Sequence, residues 1–187
     1  RSLIEKREQL LSVDKQLQRA PQQTDEVIEV LAEQLQGKTI DNKYRLDALI
    51  GVGGSAMVYR ATQVVIQRAV AVKILRPTVF GRDHKQSERF SRETQLAARI
   101  HHPNVTLLLD AAVSSDGLRY LVMELLRGAP LSEQLRNGAP LPLLRTLEIM
   151  IPICSAISCA HRVGVLHRDI KPSNIFLHQD ERCEVPK

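Results

Sequence analysis

His167-Arg168-Asp169-Ile170-Lys171-Pro172-Ser173-Asn174 decides how the rest of this chain is read. It is a polar run that follows a long helical segment and precedes a short apolar strand, Ile175 to Leu177. Six specified residues within these eight positions would arise by chance in a chain of 187 residues with a probability of order 10⁻⁶, if residues are independent and equally frequent. Two weaker signals upstream gain weight from it. The first, Val70-Ala71-Val72-Lys73, puts an ammonium near the end of a β-branched run, and Glu93 lies on the helix predicted next. An acidic partner can hold such a lysine over a pair of phosphates, although either residue alone reads as ordinary surface charge. The second is Gly51-Val52-Gly53-Gly54-Ser55-Ala56-Met57-Val58, between two predicted strands. Glycines at Gly51, Gly53 and Gly54 let backbone N–H groups approach phosphate oxygens that a Cβ would block, though a tight hairpin explains the pattern nearly as well.

Around these motifs the chain falls into three textures. Residues 1–40 contain no glycine before Gly37 and read as a helical extension, with Leu3, Leu10 and Leu17 on one stripe and a second helix from Asp25 to Gln36. Residues 41–124 read as short β segments: Tyr44 to Val52, Met57 to Thr62 and Ala69 to Leu75 as three antiparallel strands, then a helix from Ser87 to His101. Val105 to Val113 and Leu118 to Glu124 follow, joined through Ser114 to Gly117 in a hairpin. The implied unit is a five-stranded antiparallel sheet with one helix. Residues 125–187 turn helical, with Leu131 to Arg136 short and Leu143 to Val163 long. Pro142 suits the first turn of the long helix, whereas Pro152 predicts a kink or a break.

Composition excludes several classes. With 43% hydrophobic and 25% charged residues, 9 Gly and 9 Pro, the chain is ordinary globular material. Aromatics are 3% and tryptophan is absent, so Leu, Ile, Val and Ala must build the core. The net charge of +5 favours a phosphate-bearing partner, but the basic residues form no long run and no aromatics interleave with them, which argues against nucleic acid. Cys154, Cys159 and Cys183 are odd in number and lack metal spacing; they suit a reducing compartment, and Cys154 and Cys159 read as core. The longest uncharged stretch, Ile149 to Ala160, is shorter than the roughly 20 residues needed to cross a bilayer.

Taken in order, the Gly-rich turn, the strand lysine and the His-Arg-Asp loop resemble the protein kinase family, over about Tyr44 to Lys187. Arg-Phe-x-Arg-Glu at Arg89 to Glu93, His-Pro-Asn-Val at His102 to Val105 and Leu-Val-Met-Glu-Leu at Leu121 to Leu125 are similar to the bacterial serine/threonine branch. The resemblance implies an α+β, protein-kinase-like fold, with a small lobe at residues 41–124 and part of a helical large lobe at 125–187. It makes Asp169 the general base, Lys171 the group steadying the transferred phosphate, Lys73 and Glu93 a phosphate-holding pair, and Asn174 a magnesium ligand. The same resemblance assigns ATP to Ile50, Gly51, Val52, Gly53, Gly54, Ser55, Val58, Ala71, Lys73, Met123, Glu124, Leu126, Asn174 and Phe176. Met123 takes the gatekeeper position, Glu124 and Leu126 the adenine edge. His167 is read as a buried packing residue, and Lys171 favours Ser/Thr over Tyr as the accepting side chain.

Two departures stand out. Ala56 replaces the third glycine of the family loop, and no Asp-Phe-Gly or Ala-Pro-Glu occurs in these 187 residues. Cys183 to Lys187 resembles the strand that leads into Asp-Phe-Gly. The expectation is therefore that this chain by itself is inactive and leaves the apolar face of Leu143 to Val163 uncovered. The leading function is a cytoplasmic Ser/Thr protein kinase using ATP and Mg²⁺ on protein hydroxyls. The alternative is a non-catalytic nucleotide-binding or protein-interaction module, with the N-terminal helices as a dimer or partner contact.

Overall fold

The computed structural model describes residues 35–53, 56–75, 94–136, 138–181 and 183–187. The predicted helices of residues 1–34 and most of the helix predicted for Ser87 to His101 lie outside these; of the latter, residues 94–97 are helical and turns follow to Ile100. The described residues divide into two compact units, one holding residues up to 75 with 108–125, the other 94–107 with 126–187.

The first unit is built on a period of two. Along β4 (Arg68–Leu75), Val70, Val72 and Ile74 are buried in one cluster, and five of their six register partners on the two neighbours join them. Ala61, Tyr59 and Met57 stand opposite on β3 (Ala56–Gln63), and Val122 and Tyr120 opposite on β6 (Arg119–Glu124). Alternation thus sends Ala71 and Lys73 to the other face. β2 (Tyr44–Val52) and β5 (Leu108–Val113) complete the strands expected from the sequence. The sheet has six strands, in the order β1-β2-β3-β4-β6-β5 with every pair antiparallel, and not the predicted five. The extra strand β1 (Thr39–Ile40) has two residues, too few to show alternation. It is held by pairing with Arg45 and Tyr44, by Gly37 N–H donating to the Leu46 carbonyl, and by Leu46 N–H donating to that of Lys38.

Two tyrosines lock this edge. The Tyr44 and Tyr120 rings meet edge to face, centroids 6.0 Å apart. Tyr44 donates its hydroxyl to Asp110 at 2.8 Å, and Tyr120 donates to Asp41 at 2.8 Å. Asp41 and the next residue, Asn42, form the β1–β2 turn at φ 48° and 55°, a conformation these two residue types tolerate best after glycine. Burial, reinforced by the Asp110 carboxylate, pushes the Tyr44 phenol up to about 12. Burial also raises Tyr59 and Tyr120.

In the second unit, β7 (Gly128–Pro130), β8 (Phe176–Gln179) and β9 (Glu184–Pro186) form an antiparallel sheet. Helix α1 (Leu131–Gln134) and helix α2 (Leu143–Arg162) pack beside it, Leu131, Ile149, Ile153, Ile175 and Leu177 forming the core. Helix α2 has the length and hydropathy of a membrane span, yet Ile149 and Ile153 are spent on this core. It runs unbroken through Pro152, so of the kink or break expected there the break does not occur. Proline there leaves the carbonyl of residue 148 without its donor, and Glu148 is exposed, so water can supply the bond. Cys154 is exposed and Cys159 half-buried, not core as predicted, because the buried stripe runs through Ile149, Ile153 and Ala156. Leu143, Leu144 and Ile151 on the opposite face are exposed.

Gly128 is where a side chain fits least. Its φ is +122°, and an added Cβ would lie 2.1 Å from the Leu177 carbonyl oxygen across the β7–β8 pair. Gly128→Ala is expected to cost about 3 kcal/mol or more, whereas Gly138→Ala, at φ +71° in open space, costs about 1–2 kcal/mol; urea unfolding midpoints compare the two. A second expectation concerns alkali. Tyr44 keeps its proton to higher pH folded than unfolded, so the stability it contributes is intact below pH ~10 and is lost as pH rises from ~10 towards 12. Urea midpoints across that range should fall, and less steeply in Tyr44→Phe.

Candidate active site

The second unit carries the polar loop. Ile175 and Leu177 are buried at 5% and 2% exposure and anchor the start of β8. Immediately before them Pro172–Asn174 form a 3-10 turn with proline at its first position, closed by Asn174 N–H donating to the Lys171 carbonyl at 2.9 Å. This turn swings the Asn174 side chain back onto Asp169. Its amide nitrogen donates both to the Asp169 carbonyl at 2.8 Å and to Asp169 Oδ2 at 2.9 Å. Lys171 Nζ reaches the same Oδ2 at 2.9 Å. One carboxylate oxygen therefore takes two donors, one of them cationic, while among the described residues no donor is seen on Oδ1. The Lys171 hydrogen bond, followed by that from Asn174, holds the Asp169 carboxyl below its usual range.

Arg168, just before the aspartate, has φ 62°, a left-handed conformation costly for a long side chain. No sequence pattern marks an arginine for it. His167 is exposed, contrary to the buried role expected for it; its Nδ1 accepts the Asp169 N–H at 3.3 Å, so the ring fixes the loop by a hydrogen bond. A cavity of about 270 Å³ adjoins the loop, lined among others by Ile153, Ile157, Val165, Ile170 and His167. Asn174 lines it as well, whereas Asp169 and Lys171 do not, so the cavity borders the polar cluster on its Asn174 side.

Residues outside the loop hold β9 in place, and their roles were not evident from the sequence. Asn104 donates its side-chain amide to the Pro186 carbonyl at 2.7 Å, and its backbone N–H goes to His102 Nδ1 at 3.1 Å. Arg145 on α2 pairs with Glu184. The only signal was the His102 to Val105 run, which carries no hint of its partner strand.

The first unit carries the other predicted positions. Register puts Gly51 opposite Val58, Val58 opposite Lys73 and Ala71 opposite Met123, so these share the face turned away from the core. Ala71 is buried, Val58, Lys73 and Met123 are half-buried, and Ile50 and Val52 are exposed beside a register shift in β2. The turn closes with Gly53 N–H donating to the Ala56 carbonyl at 2.9 Å. Gly54, Ser55 and Glu93 lie outside the described residues, so the Lys73–Glu93 pairing does too. Glu124 ends β6 opposite Val70. Leu126 and Phe176, both half-buried, belong to the second unit.

The donor set fits magnesium in part. Asn174 spends its nitrogen on Asp169, which leaves Oδ1 as a hard oxygen donor. No group of three or more His, Cys, Asp or Glu side chains gathers among the described residues. One carboxamide oxygen beside one carboxylate suits a cation that keeps water and phosphate oxygens as most of its ligands.

Comparison with known proteins places this geometry. The family model described as protein kinase domain matches residues 44–185. The serine/threonine-protein kinase pkn3 of Myxococcus xanthus is 42% identical over 141 residues, 75% of this chain and 26% of that protein. The serine/threonine-protein kinase PrkC of Bacillus subtilis is 41% identical over 141 residues, 75% of this chain and 22% of that protein. The crystal structure of the Mycobacterium tuberculosis PknI kinase domain superposes with a TM-score of 0.69 at 27% identity, covering 81% of this chain and 60% of that one. The chain thus spans about a quarter of the length of these curated relatives. With the polar loop closed on Asp169 and the match running from the first long strand to β9, the chain belongs to the protein kinase family.

Proposed function

We propose that these residues supply the phosphate-holding strands and the proton-accepting loop of an ATP-dependent protein kinase that acts on Ser and Thr hydroxyls. The observation that carries this reading is the exposed Asp169 carboxylate, with Oδ2 tied to Lys171 and Asn174 and Oδ1 taking no donor among the described residues. An ionised carboxylate oxygen on a braced loop can accept the proton of an incoming hydroxyl as its oxygen bonds to phosphorus. Lys171, already beside that carboxylate, would pair with the γ-phosphate as charge builds on the transferring group. Lys73, on the sheet face shared with Val58, would offset charge on the remaining phosphates.

Gly51 and Gly53 add a second line of support. Neither has positive φ, and an added Cβ at either would meet nothing nearer than 3.7 Å. The fold itself makes no demand for glycine there, and the lack of a side chain leaves the backbone open to a group approaching from outside, as a phosphate would. Magnesium held by Asn174 Oδ1 would neutralise phosphate charge. Within the first unit, Val58, Ala71 and Met123 would give the base apolar surface and Glu124 its backbone groups.

The test is phosphotransfer by the native gene product, with magnesium ATP and a mixed Ser/Thr peptide substrate. Transfer to hydroxyls is expected, and Asp169→Asn should lower kcat by about 10²–10⁴ while ATP affinity stays within roughly threefold. Transfer that survives Asp169→Asn contradicts the assignment. Tight ATP binding without transfer by the wild type favours the non-catalytic module.

A further inference from the structure

Strand β9 is an edge of the second unit's sheet, and its last residue is a proline. Just beyond it, Lys187 exchanges both backbone hydrogen bonds with Phe176, at 2.7 and 2.8 Å, so the adjoining pair, Leu177 and Pro186, is one that makes no ladder bonds. A proline there loses no bond by lacking its N–H. The same alternation turns the Pro186 carbonyl away from β8, where no further strand supplies a donor. Pro186 is buried, and a buried carbonyl without a donor is costly. The half-buried Asn104 meets this need, its side-chain amide donating to the Pro186 carbonyl at 2.7 Å.

Asn104 is itself aimed. Its backbone N–H donates to His102 Nδ1 at 3.1 Å, and Val105 N–H donates to the His102 carbonyl at 3.0 Å. With Nδ1 accepting, the ring proton sits on Nε2, which donates to Ser155 Oγ on α2 at 3.1 Å. The short loop that presents the amide is thereby fastened to a helix whose Ile149 and Ile153 belong to the core.

The other end of this path is the Asp169 loop. Phe176 lies two residues after Asn174, and its backbone is held by Lys187, while Leu131 N–H donates to the Ile175 carbonyl at 2.8 Å from the β7 side. Asn104, Lys187 and Asn174 all line the cavity of about 270 Å³. Side chains around a void gain no packing from it, so hydrogen bonds set position there. Released from Asn104, the end of β9 has room to move, and Phe176 moves with it.

We propose that Asn104 is a positioning residue for phosphotransfer: by holding the Pro186 carbonyl it fixes the end of β9, through it Phe176, and through that the Asn174 amide that aims Asp169. This rests on the reading of the Asp169 loop as the proton acceptor.

The experiment compares Asn104→Ala, Asn104→Asp, which keeps the size but replaces the donor by an acceptor, and Asn104→Gln, which keeps the amide. Arg145→Ala is the reference, since it frees Glu184 at the start of β9, away from the loop. In the ¹⁵N-labelled full chain, the Phe176 and Lys187 amide protons should exchange about tenfold faster in the Ala and Asp variants, and the Asn174 side-chain amide resonances should move. Neither change is expected in Arg145→Ala. In the native gene product, kcat for peptide phosphorylation should fall about tenfold or more in the same two variants, with KM for ATP within roughly threefold, and Asn104→Gln should recover part of it. Where these variants fail to fold, His102→Ala, which keeps the amide but frees its aim, should move the same signals by less; no movement there overturns the proposal. Unchanged Asn174 resonances or an unchanged kcat in folded Ala and Asp variants overturn it too, as does an equal loss of kcat in Arg145→Ala. A wild type that transfers no phosphate defeats the reading of the loop, and the Asn174 resonances then decide by themselves whether Asn104 sets its geometry.

Discussion

The amide group of Asn174 closes the loop of residues 167–174 on itself, and the chemistry proposed for the chain depends on that closure. One nitrogen donates to the Asp169 carbonyl and to its carboxylate, which couples backbone position to side-chain direction in a single contact. The ammonium of Lys171 then shares the same oxygen. Because the turn that carries Asn174 is anchored by the buried Ile175 and Leu177, the polar cluster sits exposed on an apolar footing. This division suits the phosphate chemistry proposed for the loop: the polar groups face water, while the residues that hold them do not. Exposure also means that the ion pair itself adds little to stability, so its value lies in aiming the carboxylate.

The sequence made much of this legible. The period-two burial along β4 could be read from Val70, Val72 and Ile74, and the register that follows places Val58, Ala71, Lys73 and Met123 on one face. The eight-residue loop was recognisable because its residue types and spacing are improbable by chance. What escaped reading has physical reasons. A strand of two residues has no period, so β1 was invisible although it extends the sheet. Pro152 argued for a kink or a break, and the break is absent because the carbonyl it frees, that of Glu148, is at an exposed position. Cys154 read as core from its type, yet it lies about 100° around the helix from Ile153. Hydrogen bonds that span the sequence, such as Asn104 to Pro186, leave no local trace at either end.

The edge of the first unit shows how far the fold extends beyond the recognisable motifs. Leu35 and Ile40 precede the matched residues 44–185, yet both are buried in the same core as Tyr59 and Val72. Tyr44 and Tyr120, in a chain with few aromatics, each bind a carboxylate and meet each other. Their bonds to Asp110 and Asp41 tie β1 and its turn to the far edge of the sheet, and Ser115 N–H adds a third link. The sheet is thereby braced on the face opposite the one that carries Lys73.

The most direct test of the central claim is the titration of the Asp169 carboxyl, followed by ¹³C NMR in the chain and in its Lys171→Ala and Asn174→Ala variants. The account predicts a wild-type value below the usual carboxylate range, with a rise in each variant and the larger rise for Lys171→Ala. An ordinary value in the wild type, or no change in either variant, would contradict it.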